Sequence, residues 1–268
     1  MVIGTASAPN ATGAVFATSA TVATSGGPVS ANVLVRGQGR SAEVVLGSGG
    51  SANALGHDDW RALETAFRQF ARDEDIRVIV VRGSGSTFSA GSDLREWVHA
   101  APDDVDRAFA AMEAACTAIE ECPTPVIAQV SGVAAGAGCQ LALACDLRVF
   151  ADDARIGMPI ARLGILVSPA FAARLALLAG HGLARELLYT GRLLDAAEAV
   201  AAGLANRRVP SAELSGATAE LVAAVAAQPG PRWSPRNRPS ASGCHPPAPP
   251  PTASPVGRRC PMRTSSAA

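Results

Sequence analysis

The sequence lacks the marks of a nucleic-acid-binding, membrane or secreted protein. It has no charge imbalance: 23 basic residues are matched by 23 acidic ones, so no net field draws the chain to a polyanion. No apolar run approaches the roughly 20 residues that cross a bilayer. The N-terminus lacks the basic stretch followed by a compact apolar one that a secretory signal needs. None of the six cysteines (Cys116, Cys122, Cys139, Cys145, Cys244, Cys260) is spaced as Cys-x-x-Cys. Buried thiols in a reducing cytoplasm are therefore expected, rather than disulfides or a metal site. Residues 1–30 carry no charged side chain and are mostly Ala, Thr, Ser, Val and Gly, a composition expected of a disordered leader. A start site set too far upstream would look the same.

What is present is ample apolar material, 48% of 268 residues, enough for one sizeable core. Strand and helix signals alternate, which argues an α/β architecture. Val33 to Val35 and Ala42 to Leu46 are expected to be short strands joined through Gly37-Gln-Gly. Asp58 or Asp59 is expected to cap a helix whose Trp60, Leu63, Phe67 and Phe70 form one buried stripe. Val78 to Val81 has the unbroken apolar run of a strand covered on both faces. Pro102, with Asp103 and Asp104 in the first turn, opens a helix to Cys122 with Val105, Phe109, Met112, Cys116 and Ile119 inward. Further strands are expected at Val126 to Val130 and Leu147 to Phe150. Helices are expected at Pro169 to Ala179, Leu183 to Tyr189 and Ala196 to Ala202, the last closed by Gly203.

The most informative stretch is Ser131 to Asp146, SGVAAGAGCQLALACD. Glycines 132, 136 and 138 break it early and Leu141 to Cys145 is apolar, as in a tight turn feeding a buried helix. A helix start presents unpaired N–H groups and a partial positive charge, and small residues let a ligand oxygen approach them. Such a site can stabilise an oxyanion without a charged side chain; close packing of helix on sheet would use the same residues. Upstream, Val78 to Leu94 runs VIVVRGSGSTFSAGSDL: a strand, a Gly/Ser loop, then FSAGSDL.

Together with Asn53-Ala54-Leu55, Pro125-Val-Ile-Ala, Met158-Pro159 followed by Leu163-Gly164, Tyr189-Thr-Gly-Arg, Ala196-Ala-Glu-Ala and Gly203-Leu204, these segments resemble the enoyl-CoA hydratase/isomerase (crotonase) superfamily, in order, from about residue 32 to about residue 229. The resemblance implies a ClpP/crotonase-like spiral of ββα repeats forming two packed sheets, with a helical C-terminal part. It implies an acyl-CoA or acyl-carrier thioester as substrate, coenzyme A entering only as part of that substrate, no other cofactor and no metal. It implies a homotrimer or hexamer, with no nucleic-acid or membrane partner.

By position, the resemblance makes the backbone N–H groups of Ser92 and Ala137 the pair that holds the thioester oxygen as an enolate forms. It puts Asn53, Ala54 and Leu55, with Ala90 and Ser92, against the nucleotide part of coenzyme A. Asp93 is expected to cap a helix start rather than react. The two glutamates that hydratases of the family use fall at Gln140 and Ile160. Glutamine hydrogen-bonds water but exchanges no proton near neutral pH, and isoleucine does neither. Standard hydration is therefore not expected, nor is ordinary isomerisation, since isomerases of the family generally keep a carboxylate at the position of Ile160; decarboxylation, thioester cleavage or a lyase step remains open. Ser168 sits where some relatives place an aspartate, and is a poor base without a histidine. His57, His99 and His181 are expected outside the chemistry. Glu113 is expected on a solvated face, with an acyl pocket as the alternative.

At Pro229 the composition shifts to Pro, Arg, Ser and Ala without periodicity. Three segments are expected: the leader, a domain over residues 31–229, and a disordered tail over 230–268. A shifted reading frame would account for this tail: one permissible codon choice for Arg232 to Asn237, read two bases on, gives Leu-Val-Ala-Thr-Lys, close to what the family carries there. Rival readings are a non-catalytic thioester-binding partner subunit and a damaged gene product.

Overall fold

The computed structural model describes residue 30, residues 32–47 and residues 50–228; the expected leader up to residue 29, the expected tail and the proposed frame shift lie outside the described residues. The chain opens with a hairpin, β1 (Val33–Gln38) and β2 (Ser41–Leu46). These pair antiparallel with Gln38 opposite Ser41. The turn is thus Gly39-Arg40, not Gly37-Gln-Gly: Gly37 pairs with Ala42 inside the ladder. Gly39 has φ of 58°, the conformation a two-residue hairpin loop requires and glycine supplies without strain.

α1 (His57–Phe70) follows, with Trp60, Leu63, Phe67 and Phe70 buried as one stripe. Its N-cap is Gly56, not an aspartate. Asp59 acts from the third helical position, accepting from Gly56 N at 2.8 Å. It also accepts from Ser30 Oγ and Asn32 Nδ2, which ties the entering chain to the helix. β3 (Val78–Gly83) leads to α2 (Pro102–Glu121), which has Pro102 in its first turn as its sequence requires. Then come β4 (Val126–Val130), β5 (Val133–Ala135), α3 (Ala137–Ala144), β6 (Leu147–Ala151), β7 (Arg155–Gly157) and α4 (Pro169–Thr190). Gly180, non-helical at φ of 77°, divides α4 into the two helices expected there. The described chain closes with β8 (Leu193–Asp195), α5 (Ala196–Ala201), β9 (Arg207–Val209) and α6 (Leu214–Ala226).

The larger sheet has the order β1-β2-β3-β4-β6-β9, parallel beyond the first pair. The smaller sheet is β5-β7-β8. The units β4-β5-α3 and β6-β7-α4 each place one strand in each sheet and then a helix. Ser89, bridged to Ala134, gives β3 and α2 the same pattern in reduced form. This is the spiral of ββα repeats, and the mixed α/β class is as expected. Alternation along the strands divides the core. Ile79, Val81, Val126, Ala128, Val130 and Phe150 face the helices α1 to α3. Val78, Ile127, Val149 and Ala151 face α6, so the central strands are covered on both faces.

Candidate active site

FSAGSDL and SGVAAGAGCQ, whose first residues are 43 apart in sequence, meet through backbone. Phe88 N donates to Ser131 O at 2.8 Å, Ser89 N to Val133 O at 3.0 Å, and Ala135 N to Ser89 O at 3.0 Å. Gly91 (φ +100°) then lies against the start of α3: a Cβ built there would stand 2.7 Å from Ala137 N and 2.8 Å from Ala135 O. A Cβ on Gly138 would meet Ser89 O at 2.2 Å. Only glycine permits this approach, and the approach brings Ser92 and Ala137 to one cavity. Gly136, at φ 55°, is the N-cap of α3. Among the described residues, neither Ser92 N nor Ala137 N donates to a protein acceptor. Two unspent N–H groups, one of them at a helix start, form a place for a developing negative charge.

The cavity has a volume of about 620 Å³ and a mostly apolar wall, in the usual range for a small-molecule site. α2 contributes Phe109, Met112 and Glu113, at the i, i+3, i+4 spacing that shares one helix face. The segment around Met158 to Ser168 contributes Ile160, Leu163 and Leu166. Gln140, from the first turns of α3, also lines the cavity; it is only 4% exposed, and its Oε1 has no hydrogen-bond partner. An unpaired buried acceptor costs about 1–3 kcal/mol, which a donor on a ligand would relieve.

An enoyl-CoA hydratase/isomerase family model matches residues 42–232. The chain belongs to that family. It is similar to the short-chain-enoyl-CoA hydratase of Clostridium acetobutylicum, with 30% identity over 191 residues, covering 71% of this chain and 73% of that one. Among solved structures, the enoyl-CoA hydratase of Bacillus anthracis superposes with a TM-score of 0.71 at 32% identity, covering 74% of this chain and 77% of the other. That of Mycobacterium smegmatis gives 0.71 at 33% identity, covering 76% and 78%.

Of the residues that the family resemblance singles out, the structure brings Ser92, Ala137, Ala90, Gln140 and Ile160 to the cavity wall. Asn53, Ala54 and Leu55 are not in that wall, and most of their backbone groups are spent. Asn53 O accepts from Ser89 Oγ at 2.8 Å, Leu55 N donates to Gly91 O at 2.8 Å, and Leu55 O accepts from Asp93 N at 2.9 Å. The carbonyl of Ala54 is left over among the described residues. The Asn53 side chain is buried and donates to Ser84 O at 2.9 Å and Thr87 O at 2.7 Å. Ser51, Ala52 and Asn53 are left-handed in succession, with φ of 47°, 50° and 55°. That conformation costs ordinary residues ~1–2 kcal/mol each. The Asn53 bonds hold this turn against the loop that carries Ser92.

Asp93 caps the short 3₁₀ turn Leu94–Trp97, accepting from Arg95 N at 3.0 Å. Its salt bridge to the Arg95 guanidinium, at 2.7 Å, holds its carboxyl below the usual carboxylate range. None of His57, His99 and His181 lines the cavity. Glu113 departs from its expected solvated face: it is half-buried in the cavity wall, where Ser168 Oγ donates to its Oε1 at 2.7 Å. The cause is the i, i+3, i+4 spacing with Phe109 and Met112, which puts the carboxylate on the face that the helix turns inward. Behind the wall, burial pushes the thiols of Cys116 and Cys139 up to about 12, so both are neutral and unreactive near pH 7. Among the described residues no helix is long and apolar enough to cross a membrane. Sequence reasoning missed Arg148. It is 4% exposed and donates through Nη1 to Cys145 O at 2.6 Å and through Nε to Leu204 O at 2.7 Å, thereby tying the end of α3 to the segment after α5.

Proposed function

We propose that the cavity binds an acyl thioester of coenzyme A or of an acyl carrier, and that Ser92 N and Ala137 N hold its carbonyl oxygen while an enolate forms. The observation that carries this reading is the pair of unspent N–H groups that a glycine-tight contact brings to one apolar cavity. Preorganised donors of this kind strengthen their bonds as charge grows on the oxygen, and so favour the transition state over the bound substrate. The carbonyl of Ala54 and the loop at Ala90 and Ser92 would meet the nucleotide part. The apolar wall from Ile160 to Leu166 would take the acyl chain.

Standard hydration does not fit the wall. Activation of water needs groups that accept and return a proton, and Gln140 and Ile160 do neither. Reactions that draw on enolate stabilisation, such as decarboxylation, thioester cleavage or a lyase step, fit better. A second reading, a thioester-binding subunit without turnover, is favoured by the same two side chains. Assembly as a trimer or hexamer belongs to either reading and is checked by analytical ultracentrifugation.

The test is calorimetric binding of coenzyme A, acetyl-CoA and malonyl-CoA, with mass spectrometry of each mixture. Thioesters should bind more tightly than free coenzyme A, because only they offer the carbonyl. Binding with product supports the enzyme, and binding of every thioester without product supports the subunit. Equal affinity for coenzyme A and its thioesters would remove the carbonyl from the account. The double variant Gln140→Glu with Ile160→Glu should raise crotonyl-CoA hydration by ~10²-fold or more if only the acid–base groups are missing. No gain with binding intact would mean that the geometry also differs from a hydratase's.

A further inference from the structure

Among the described residues lining the cavity, Glu113 is the one ionisable side chain. Its surroundings are built rather than incidental. Ser168 is the N-cap of α4, and its Oγ accepts from Phe171 N at 3.1 Å. With a lone pair engaged there, the hydroxyl turns its proton to Glu113 Oε1 at 2.7 Å. The start of one helix therefore fixes one oxygen of a carboxylate carried by another, and leaves the second oxygen for a ligand.

We propose that Glu113 is the proton-transferring residue of this site, acting on the carbon next to the carbonyl of a bound acyl thioester, with Ser168 as its positioning residue. The proposal rests on the thioester reading above and adds the base that Gln140 and Ile160 do not supply. In the step, the Glu113 carboxylate takes a proton from that carbon. The C–H bonding pair becomes the enolate double bond, and the carbonyl pair moves onto oxygen, between the Ser92 and Ala137 N–H groups. Return of the proton to the same carbon restores the substrate. With a 3-enoyl thioester the enolate is conjugated, and the proton can return at the γ carbon. The carbonyl then reforms, the double bond lies between the α and β carbons, and Glu113 is again a carboxylate. Nothing is oxidised, reduced or hydrated, and no further reactant is needed. The substrate class is thus an acyl thioester with an acidic α C–H, 3-enoyl chains included.

The experiment uses the full chain with two probes. Butyryl-CoA in deuterium oxide reports exchange at C2 by NMR and mass spectrometry, and 3-butenoyl-CoA reports conjugation by ultraviolet absorbance. Calorimetry with butyryl-CoA runs alongside. The wild type should exchange deuterium into C2 and conjugate 3-butenoyl-CoA. Glu113→Gln keeps an oxygen for the Ser168 hydroxyl, so melting and affinity should hold while both rates fall by ~10²- to 10⁴-fold. Glu113→Asp, with its charge drawn back by one methylene, should fall in between. Ser168→Ala should slow exchange by about tenfold at unchanged affinity, the loss of one orienting hydrogen bond. Ser168→Thr, which keeps both the hydroxyl and the cap, should restore the rate; a merely structural serine would show neither the selective loss nor the rescue. Wild-type exchange surviving in Glu113→Gln, or a wild type that binds butyryl-CoA without exchange, overturns the assignment of Glu113 and leaves the thioester reading standing. Failure of any thioester to bind overturns both.

Discussion

One wall of the cavity is made of backbone and another of side chains, and the two place very different demands on sequence. On the side of Ser92 and Ala137, the proposed chemistry lies in N–H groups, and the requirement is for residues small enough to let two loops touch. Gly91 and Gly138 would each drive a Cβ into backbone atoms at 2.7 Å or less. On the side of Ile160 to Ser168, any contribution would come from side chains on a partly exposed segment. Leu163 is 56% exposed and Leu166 is 90% exposed. A site can keep the first wall and change its reaction through the second, because the oxyanion is held whatever group supplies or takes the proton.

Between Gly91 in the backbone wall and Leu163 in the other, the larger effect is expected at Gly91. Gly91→Ala forces a methyl against Ala137 N and Ala135 O at a φ that alanine disfavours. Deuterium exchange into butyryl-CoA should fall by ~10²- to 10³-fold, as for loss of one oxyanion donor. A variant that stays folded with an undiminished rate would break the distinction between the walls. On the side-chain wall, Leu163→Ala should change stability by no more than ~0.5 kcal/mol in urea titration. It should shift the preference between butyryl- and octanoyl-CoA by roughly tenfold. A stability loss above ~2 kcal/mol would mean that this segment is as tightly built as the other.

The smallest effect is nil at neutral pH. The folded thiols of Cys116 and Cys139 are raised from 9.0 to about 12 by burial, so the native state holds their protons longer than the unfolded state does. Their contribution is fully present below pH 9 and is lost as pH rises toward about 12. The melting temperature should hold to about pH 9 and then fall. Cys116→Ala with Cys139→Ala should flatten that fall.

The two walls also differ in how legible they are in sequence. Ser92 and Ala137 are located through the family resemblance of FSAGSDL and SGVAAGAGCQ, and the glycines beside them have a steric cause that the structure shows. α2 is predictable for the same kind of reason, with Pro102 and two aspartates opening it. The strands β5, β7 and β8 have three residues each, too few for alternation to show, and so escape a reading of the sequence. The N-cap of α1 shifts to Gly56 because Asp59 serves the same end from inside the helix. Glu113 is the instructive case. Its spacing from Phe109 and Met112 is visible in the sequence, but charge alone argues for solvent. Only the partner hydroxyl, 55 residues away on another helix, makes the inward position tenable.

The central claim is that two backbone N–H groups polarise a thioester carbonyl, and an infrared difference spectrum tests it most directly. Crotonyl-CoA labelled with ¹³C at its carbonyl would be bound to the wild type and to Gly91→Ala. A carbonyl held by two donors loses double-bond character, so the labelled band should move to lower frequency on binding to the wild type and move less in the variant. A bound thioester whose band stays at its solution position in the wild type would contradict the account.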